Sequence, residues 1–364
     1  MSNHIEASPI RVLLVEDSLL QLHVIKTILD SEPGIHVVGT AVNGAEALKL
    51  LPDLHPDVIC TDYHMPVMDG LEFIEHAVKI YPCPILVLSI SVQANQTENI
   101  FKMLSAGAID IMPKPKATGG LIGKEEGARL AEKIRILNGV KFIKKNGIRL
   151  PNPKPLQCEL SRLVIPRIIV IGASTGGPQA LEALFLNLNA DFSIPIICVQ
   201  HISNGFLVRM LDWLQSMTNL KVEIAQEKGV PMAGHLYFPP EGKHLEIGVD
   251  GGFRISSPSP GEIYCPSIDK LFASVAESCP SSSVGVILSG MGRDGAIGLK
   301  KIFDSGGDTI AQDETSSIIF GMPAAAIELG GVCHVMSVVQ IAGYLNGLQP
   351  YSQAKYNTNS LQPY

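Results

Sequence analysis

The chain has 364 residues, 46% of them hydrophobic and 17% charged, with a formal net charge of −7. That balance describes a core-rich protein and excludes a disordered one, and the acidic surplus argues against a nucleic-acid-binding effector. No apolar run is long enough to span a bilayer, and the first nine residues have no cationic and apolar leader pattern, so membrane insertion and secretion are not expected. The seven cysteines are scattered without a Cys-x-x-Cys, and Cys60 and Cys198 lie in apolar runs, which reads as reduced buried thiols in a cytoplasmic protein.

Residues 11–15 form a short apolar run that ends in Glu16-Asp17. A helical pattern follows over 19–29, with Leu20, Val24 and Leu29 near one face. Strand-like runs at 36–40, 57–61, 85–88 and 108–112 come next, with a helix at 44–51 and another at 125–143. Strands alternating with helices imply a parallel sheet covered on both faces. Glu16, Asp17 and Asp62 then fall at the carboxyl ends of strands on one sheet edge, where clustered carboxylates need a cation, and hard oxygen donors suit Mg²⁺. Ser89 and Lys114 fall at two further strand ends on the same edge, where a hydroxyl and an amine would grip a phosphoryl group. A single acid at a strand end is ordinary loop chemistry; five such residues at successive ends are not.

With those residues in view, 11–115 resembles a two-component receiver domain through Glu16-Asp17, Asp62 with Met65-Pro-Val-Met-Asp-Gly70, Ser89 and Lys114-Pro115. The resemblance implies that Asp62 accepts a phosphoryl group from a sensor histidine kinase. It also implies that Glu16 and Asp17 help Asp62 bind Mg²⁺, that Ser89 is the switch hydroxyl, and that Lys114 contacts the phosphate. Glu16 stands where many members have Asp, and Ile111 where an aromatic switch residue is common.

Residues 144–166 carry Pro151, Pro153 and Pro155 and read as a partly extended, stiff linker. A second α/β pattern begins at 167, with strands expected at 167–172, 194–200, 222–225, 284–288 and 309–311, and helices at 178–188, 205–217, 267–277 and 296–304. Between 234 and 255, short alternating runs broken by Gly and Pro read as inserted antiparallel hairpins. The expected architecture is two doubly wound parallel-sheet domains, flavodoxin-like and then Rossmann-like. The expected boundaries are 1–120, a helix and linker over 121–166, 167–348, and a frayed tail over 349–364.

The run Ile168-Ile-Val-Ile-Gly-Ala-Ser174-Thr-Gly-Gly-Pro178 ends a buried strand in a glycine-rich turn bearing one serine, before a helix start. This fits Gly-x-Ser-x-Gly, a pattern that also arises by chance. No Gly-Lys-Ser/Thr follows and the spacing is not Gly-x-Gly-x-x-Gly, so a phosphate loop and a dinucleotide fingerprint both fail. His201 follows a strand that would lie beside that of Ser174, and Asp294 sits in Ser289-Gly-Met-Gly-Arg-Asp-Gly295 after another. Alone, each reads as a strand-end or turn residue. Together they form a candidate triad in which Ser174 is the nucleophile, His201 the base and Asp294 the group that orients it. The chain order Ser, His, Asp differs from that of α/β-hydrolases.

Residues 167–347 resemble the catalytic domain of chemotaxis protein-glutamate methylesterases of the CheB type. The matching segments are Gly172-Ala-Ser-Thr-Gly-Gly177, Gln200-His201, 289–295, Ala311-Gln-Asp-Glu314 and Phe320-Gly-Met-Pro323. The resemblance implies hydrolysis of glutamyl methyl esters on methyl-accepting chemoreceptors, often with deamidation of receptor glutamines. Acyl transfer also needs an oxyanion hole, for which the backbone N–H groups near Thr175 and at Met291 are the candidates. No cofactor is expected for the esterase step. The receiver is expected to cover the Ser174 edge until Asp62 is phosphorylated. A second reading keeps the C-terminal domain as a binding module only; the intact Ser174, His201 and Asp294 speak against it.

Overall fold

Leucine, isoleucine and valine runs buried on both faces become the central strands of two parallel sheets. The structure, a computed structural model, describes residues 8–89, 100–115, 117–118, 121–122, 124–140 and 166–348. Contacts divide the described residues into two compact units, one from 1–150 with 202–213 and the other from 151–201 with 214–364. The linker expected over 144–166, except Pro166, and the tail from Gln349 lie outside the described residues, as does the end of the helix expected to reach residue 143.

In the first unit the elements run β1 (Ile10–Val15), α1 (Leu19–Asp30), β2 (Ile35–Ala41), α2 (Gly44–Leu54), β3 (Val58–Thr61), α3 (Gly70–Ile80), β4 (Ile85–Ser89), α4 (Ile100–Ala106) and β5 (Asp110–Pro113). A two-residue pair, β6 (Ala117–Thr118) and β7 (Leu121–Ile122), precedes α5 (Lys124–Asn138). The sheet order is β2-β1-β3-β4-β5, all parallel. Helices α1, α2 and α3 start on the side-chain caps Ser18, Asn43 and Asp69, each accepting a backbone N–H of the first turn. The register pairs Val15 with Thr61 and Ser89 with Pro113, so Glu16 and Asp62 leave adjacent strands side by side, as do Ser89 and Lys114. Pro113 is tolerated because β5 is an edge strand.

The second half runs β8 (Ile168–Ala173), α6 (Gly177–Leu186), β9 (Ile196–Gln200), α7 (Leu207–Gln215), β10 (Lys221–Ile224), β11 (His235–Phe238), β12 (His244–Ile247), β13 (Phe253–Ser256), α8 (Ile268–Ser278), β14 (Ser283–Ile287), α9 (Ala296–Asp304), β15 (Asp308–Gln312), α10 (Met322–Glu328), β16 (His334–Met336) and α11 (Val338–Asn346). Seven parallel strands follow the order β10-β11-β9-β8-β14-β15-β16. Among the described residues of this half, only β12 and β13 form an antiparallel hairpin. The sequence reading of 234–255 as hairpins throughout is therefore corrected: His235–Phe238 joins the main sheet in parallel between β10 and β9. It was missed because residues 225–234 link β10 to β11 without the helix that normally marks a parallel crossover. Strand β8 has β9 on one side and β14 on the other. This is the reversal of strand order outside whose carboxyl ends doubly wound sheets place their sites. No disulfide joins the cysteines of the described residues, and Cys60 and Cys198 are fully buried with thiols pushed up by burial.

Candidate active site and phosphoacceptor cluster

Ser174 is the first residue after β8. Its N–H donates to Ser289 O at 3.0 Å, and its own carbonyl accepts Gly177 N–H at 2.8 Å, closing the turn that starts α6. Gly176 caps that helix at φ +76°, a left-handed conformation that explains a glycine there. The end of β14 abuts the turn from the other side: a β-carbon on Gly290 would lie 2.8 Å from that of Ser174. Ser289 Oγ donates to the carbonyl of Thr175 at 2.8 Å and accepts Ile319 N–H at 2.9 Å, tying the turn to residues 319–322.

Strand β9 lies beside β8, with Ala173 opposite Gln200, so His201 emerges next to the serine turn and its N–H donates to Ala173 O at 2.9 Å. The His201 side chain is 16% exposed and its Nε2 is 2.9 Å from Asp294 Oδ2. Asp294 is a buried carboxylate, 4% exposed, and not the exposed turn acid that its glycine-rich surroundings allow. Each of its oxygens has two donors. Oδ2 accepts from His201 Nε2 and Ile268 N–H (2.8 Å), and Oδ1 from Ser267 Oγ (3.1 Å) and Asp269 N–H (3.0 Å). Asp294 thus sits on the N-terminus of α8, where backbone N–H groups and the helix dipole favour an anion. Burial pushes its carboxyl up, but the His201 bond and the Ile268 and Asp269 N–H groups outweigh this and leave it below the ordinary carboxylate value.

Behind Asp294 lies a second layer. Ser267 caps α8, and its N–H donates to Nδ1 of the fully buried His244 at 3.1 Å. His244 Nε2 therefore carries the ring proton and donates to Glu262 Oε2 at 2.7 Å. Lys270, then Ser259 N–H and His244, lower Glu262 to about 2. Tyr264 stacks on His201 with ring centroids 5.2 Å apart and planes within 3°. Sequence reading missed Ser267, His244, Glu262 and Tyr264. The one local signal was the cap pattern of Ser267 before an apolar helix.

Ser174 and His201 thus directly follow two adjacent strands, and Asp294 lies in the loop between the neighbouring β14 and α9. His201 and Asp294 are paired, and no hydrogen bond joins Ser174 to His201; catalytic contacts of this kind often tighten only around substrate. Thr175 is buried, and Met291 is 42% exposed beside Gly290.

In the first unit, Glu16, Asp17 and Asp62 each present a carboxylate oxygen within 4.8 Å of the others. Glu16 and Asp62 are buried and Asp17 is exposed. Lys114 Nζ bridges the buried pair, 2.7 Å from Glu16 Oε2 and 2.7 Å from Asp62 Oδ2. Burial raises the Glu16 carboxyl despite Lys114. Asp62 Oδ1 accepts Tyr63 N–H at 2.7 Å. Ser89 closes β4, and its carbonyl accepts Lys114 N–H at 2.8 Å. All five sequence candidates meet at one edge.

Residues 169–345 match the family model described as CheB methylesterase, and residues 12–124 match the response regulator receiver domain. The protein-glutamate methylesterase/protein-glutamine glutaminase 2 of Anaeromyxobacter dehalogenans is 41% identical over 342 residues, covering 93% of this chain and 97% of that one. The chain belongs to the CheB methylesterase family. A second relative, the protein-glutamate methylesterase/protein-glutamine glutaminase 2 of Methanospirillum hungatei, is 39% identical over 94% of this chain and 99% of its own. The solved CheB methylesterase catalytic domain of Thermotoga maritima is 34% identical, with a TM-score of 0.49, and covers 51% of this chain and all of that one. Family membership joins a receiver to an esterase domain in one chain, and the paired His201 and Asp294 fall within the esterase match.

Proposed function

We propose that this CheB-family chain is a phosphorylation-activated serine hydrolase that removes methyl esters from glutamates of methyl-accepting chemoreceptors and deamidates selected receptor glutamines. The observation that carries the reading is the His201–Asp294 pair one strand away from Ser174.

Asp294 holds Nε2 of His201 in its protonated form, which leaves Nδ1 as the base. Nδ1 takes the Ser174 proton as Oγ attacks the ester carbonyl. The tetrahedral oxyanion is met by backbone N–H groups at Thr175 and Met291, each worth about 3–4 kcal/mol of barrier. His201 returns the proton to the departing methanol, or to ammonia from a glutamine. Water, deprotonated by the same nitrogen, then hydrolyses the acyl-enzyme to the free glutamate and restores Ser174. The activity of the named relatives supports this substrate class.

In the receiver, Asp62 accepts the phosphoryl group from a sensor histidine kinase. Glu16, Asp17 and Asp62 would hold Mg²⁺, a hard cation suited to three carboxylate oxygens, which supplies charge neutralisation at the transferring phosphoryl group. Lys114 neutralises the phosphoaspartate, and Ser89 reads it out as the switch hydroxyl. A kinase donor and receptor substrates of this kind place the reaction in the cytoplasm; no helix among the described residues is long and apolar enough to cross a membrane.

The test is methanol release from methylated receptor fragments, with and without a small acyl-phosphate donor and Mg²⁺. Release stimulated by the donor and abolished by Ser174→Ala is expected. Undiminished release from the Ser174→Ala protein overturns the triad, and release indifferent to the donor overturns the gating.

A further inference from the structure

Beyond the triad, we propose that Gln200 is a positioning residue that locks the nucleophile and the base to each other through their backbone carbonyls. The inference rests on the esterase reading of Ser174 and His201.

The main-chain ladder between β8 and β9 ends at Ala173 and Gln200. Beyond it the two strands part: Ser174 enters its turn and His201 begins a loop. The side chain of Gln200 carries the pairing one step further. Its Nε2 donates one N–H to the carbonyl of Ser174 at 2.8 Å and the other to the carbonyl of His201, also at 2.8 Å. Both partners are acceptors, so only the nitrogen end of the amide fits there. Gln200 is 4% exposed, and the bonds are shielded from water.

Two observations separate this arrangement from simple packing. Gln200 Oε1 is buried without a hydrogen-bond partner. An unpaired buried acceptor costs about 1–3 kcal/mol, which a methionine or leucine of similar volume would avoid, so the residue type is explained by its donors and not by its bulk. Second, Gly177 reserves the space: a β-carbon there would stand 2.0 Å from Oε1. Gly177 lacks a positive φ, so close approach, of the Gln200 amide first and of Ala173 Cβ at 2.8 Å after it, and not turn geometry, is what requires a glycine. With no direct Ser174–His201 hydrogen bond, this clamp fixes the spacing from which Oγ and Nδ1 must meet.

Neither carbonyl touches substrate in the proposed mechanism, so losing the clamp lowers kcat and leaves KM alone. The full-length protein is assayed with methylated receptor fragment, and Ser174 is labelled with a fluorophosphonate. Gln200→Met keeps the volume and removes the donors; kcat and labelling rate should each fall by about 10²-fold, the penalty for an ångström-scale misplacement, while Tm and Asp62 phosphorylation hold. Gln200→Glu, which turns a carboxylate toward two carbonyl oxygens, should fall at least as far. A purely structural residue would instead lower Tm and leave kcat per folded molecule intact, and a Gln200→Met kcat within twofold of wild type overturns the proposal. If Gln200→Met does not fold, Gly177→Ala, which displaces the intact amide, must show the same kcat loss, and a wild-type kcat there overturns it equally. Ser174→Ala separates the two readings. Release that persists in it overturns the triad; release lost in it but kept in Gln200→Met overturns only the role of Gln200.

Discussion

His201 turns Nε2, not Nδ1, toward Asp294 at 2.9 Å. Because Asp294 is ionised and accepts from four donors, the proton on Nε2 is fixed and Nδ1 is the nitrogen available to Ser174. Asp294→Asn should therefore do more than remove a charge. Its amide would donate to Nε2, move the ring proton to Nδ1 and block the base, costing on the order of 10³–10⁴ in kcat. Steady-state methanol release measures this. The carboxyl's lowered value adds a stability signature. The stabilisation is present above the ordinary carboxylate range, near about 3.9, and is lost as pH falls through the lower folded value. Acid unfolding of the wild type should be steeper in that window than that of Asp294→Asn, whose side chain does not titrate.

Tyr264 lies flat against His201 and is 37% exposed, so it screens one ring face while the other edge holds Asp294. An aromatic stack of this kind contributes about 0.5–1.5 kcal/mol. Tyr264→Ala should lower kcat by roughly 2–12-fold, the same energy expressed as a rate, with Tyr264→Phe falling less because it keeps the stack. Equal losses in both variants would assign the effect to the hydroxyl instead.

Much of this site was legible in the sequence because parallel sheets collect chemistry at strand ends. Ser174, His201 and Asp294 each follow an apolar run, and the structure sets those runs side by side as β9, β8 and β14. The same logic gathered Glu16, Asp17, Asp62, Ser89 and Lys114. The support behind the candidate triad was not legible, because its members come from a hairpin, a loop and a helix cap 27 to 50 residues before Asp294. Their roles follow from tertiary placement, not periodicity. Strand β16 was missed for a different reason: three half-buried residues carry too little pattern.

That support makes its own prediction. Ser267 accepts Lys270 N–H as the cap of α8 and donates to Asp294, while His244 accepts the Ser267 N–H. Ser267→Ala loses the cap, about 1 kcal/mol, and one of the four donors to the carboxylate. It should lower both Tm and kcat, whereas Ser267→Thr should retain most of each. His244→Ala leaves a buried N–H unpaired at the start of α8 and should cost about 1–3 kcal/mol in denaturant unfolding. A His244→Ala protein as stable as wild type would show that the buried imidazole is not holding the helix start.

Lys114 bridges two buried carboxylates, and its removal exposes what it compensates. Without the ammonium, Glu16 and Asp62 repel across a buried edge, and breaking a buried ion pair from one side costs about 3–5 kcal/mol. Lys114→Met should destabilise the receiver by that order in thermal or denaturant unfolding. Mg²⁺ should recover part of it, because a cation bound to the folded cluster and not to the unfolded chain stabilises by mass action. The Mg²⁺-dependent rise in Tm should thus be larger in Lys114→Met than in wild type, while acyl-phosphate stimulation of methanol release is lost with the charge proposed to hold the phosphoaspartate. If Mg²⁺ shifts the two proteins equally, Lys114 does not compete with the cation, and if it shifts neither, the carboxylates are not the metal's ligands.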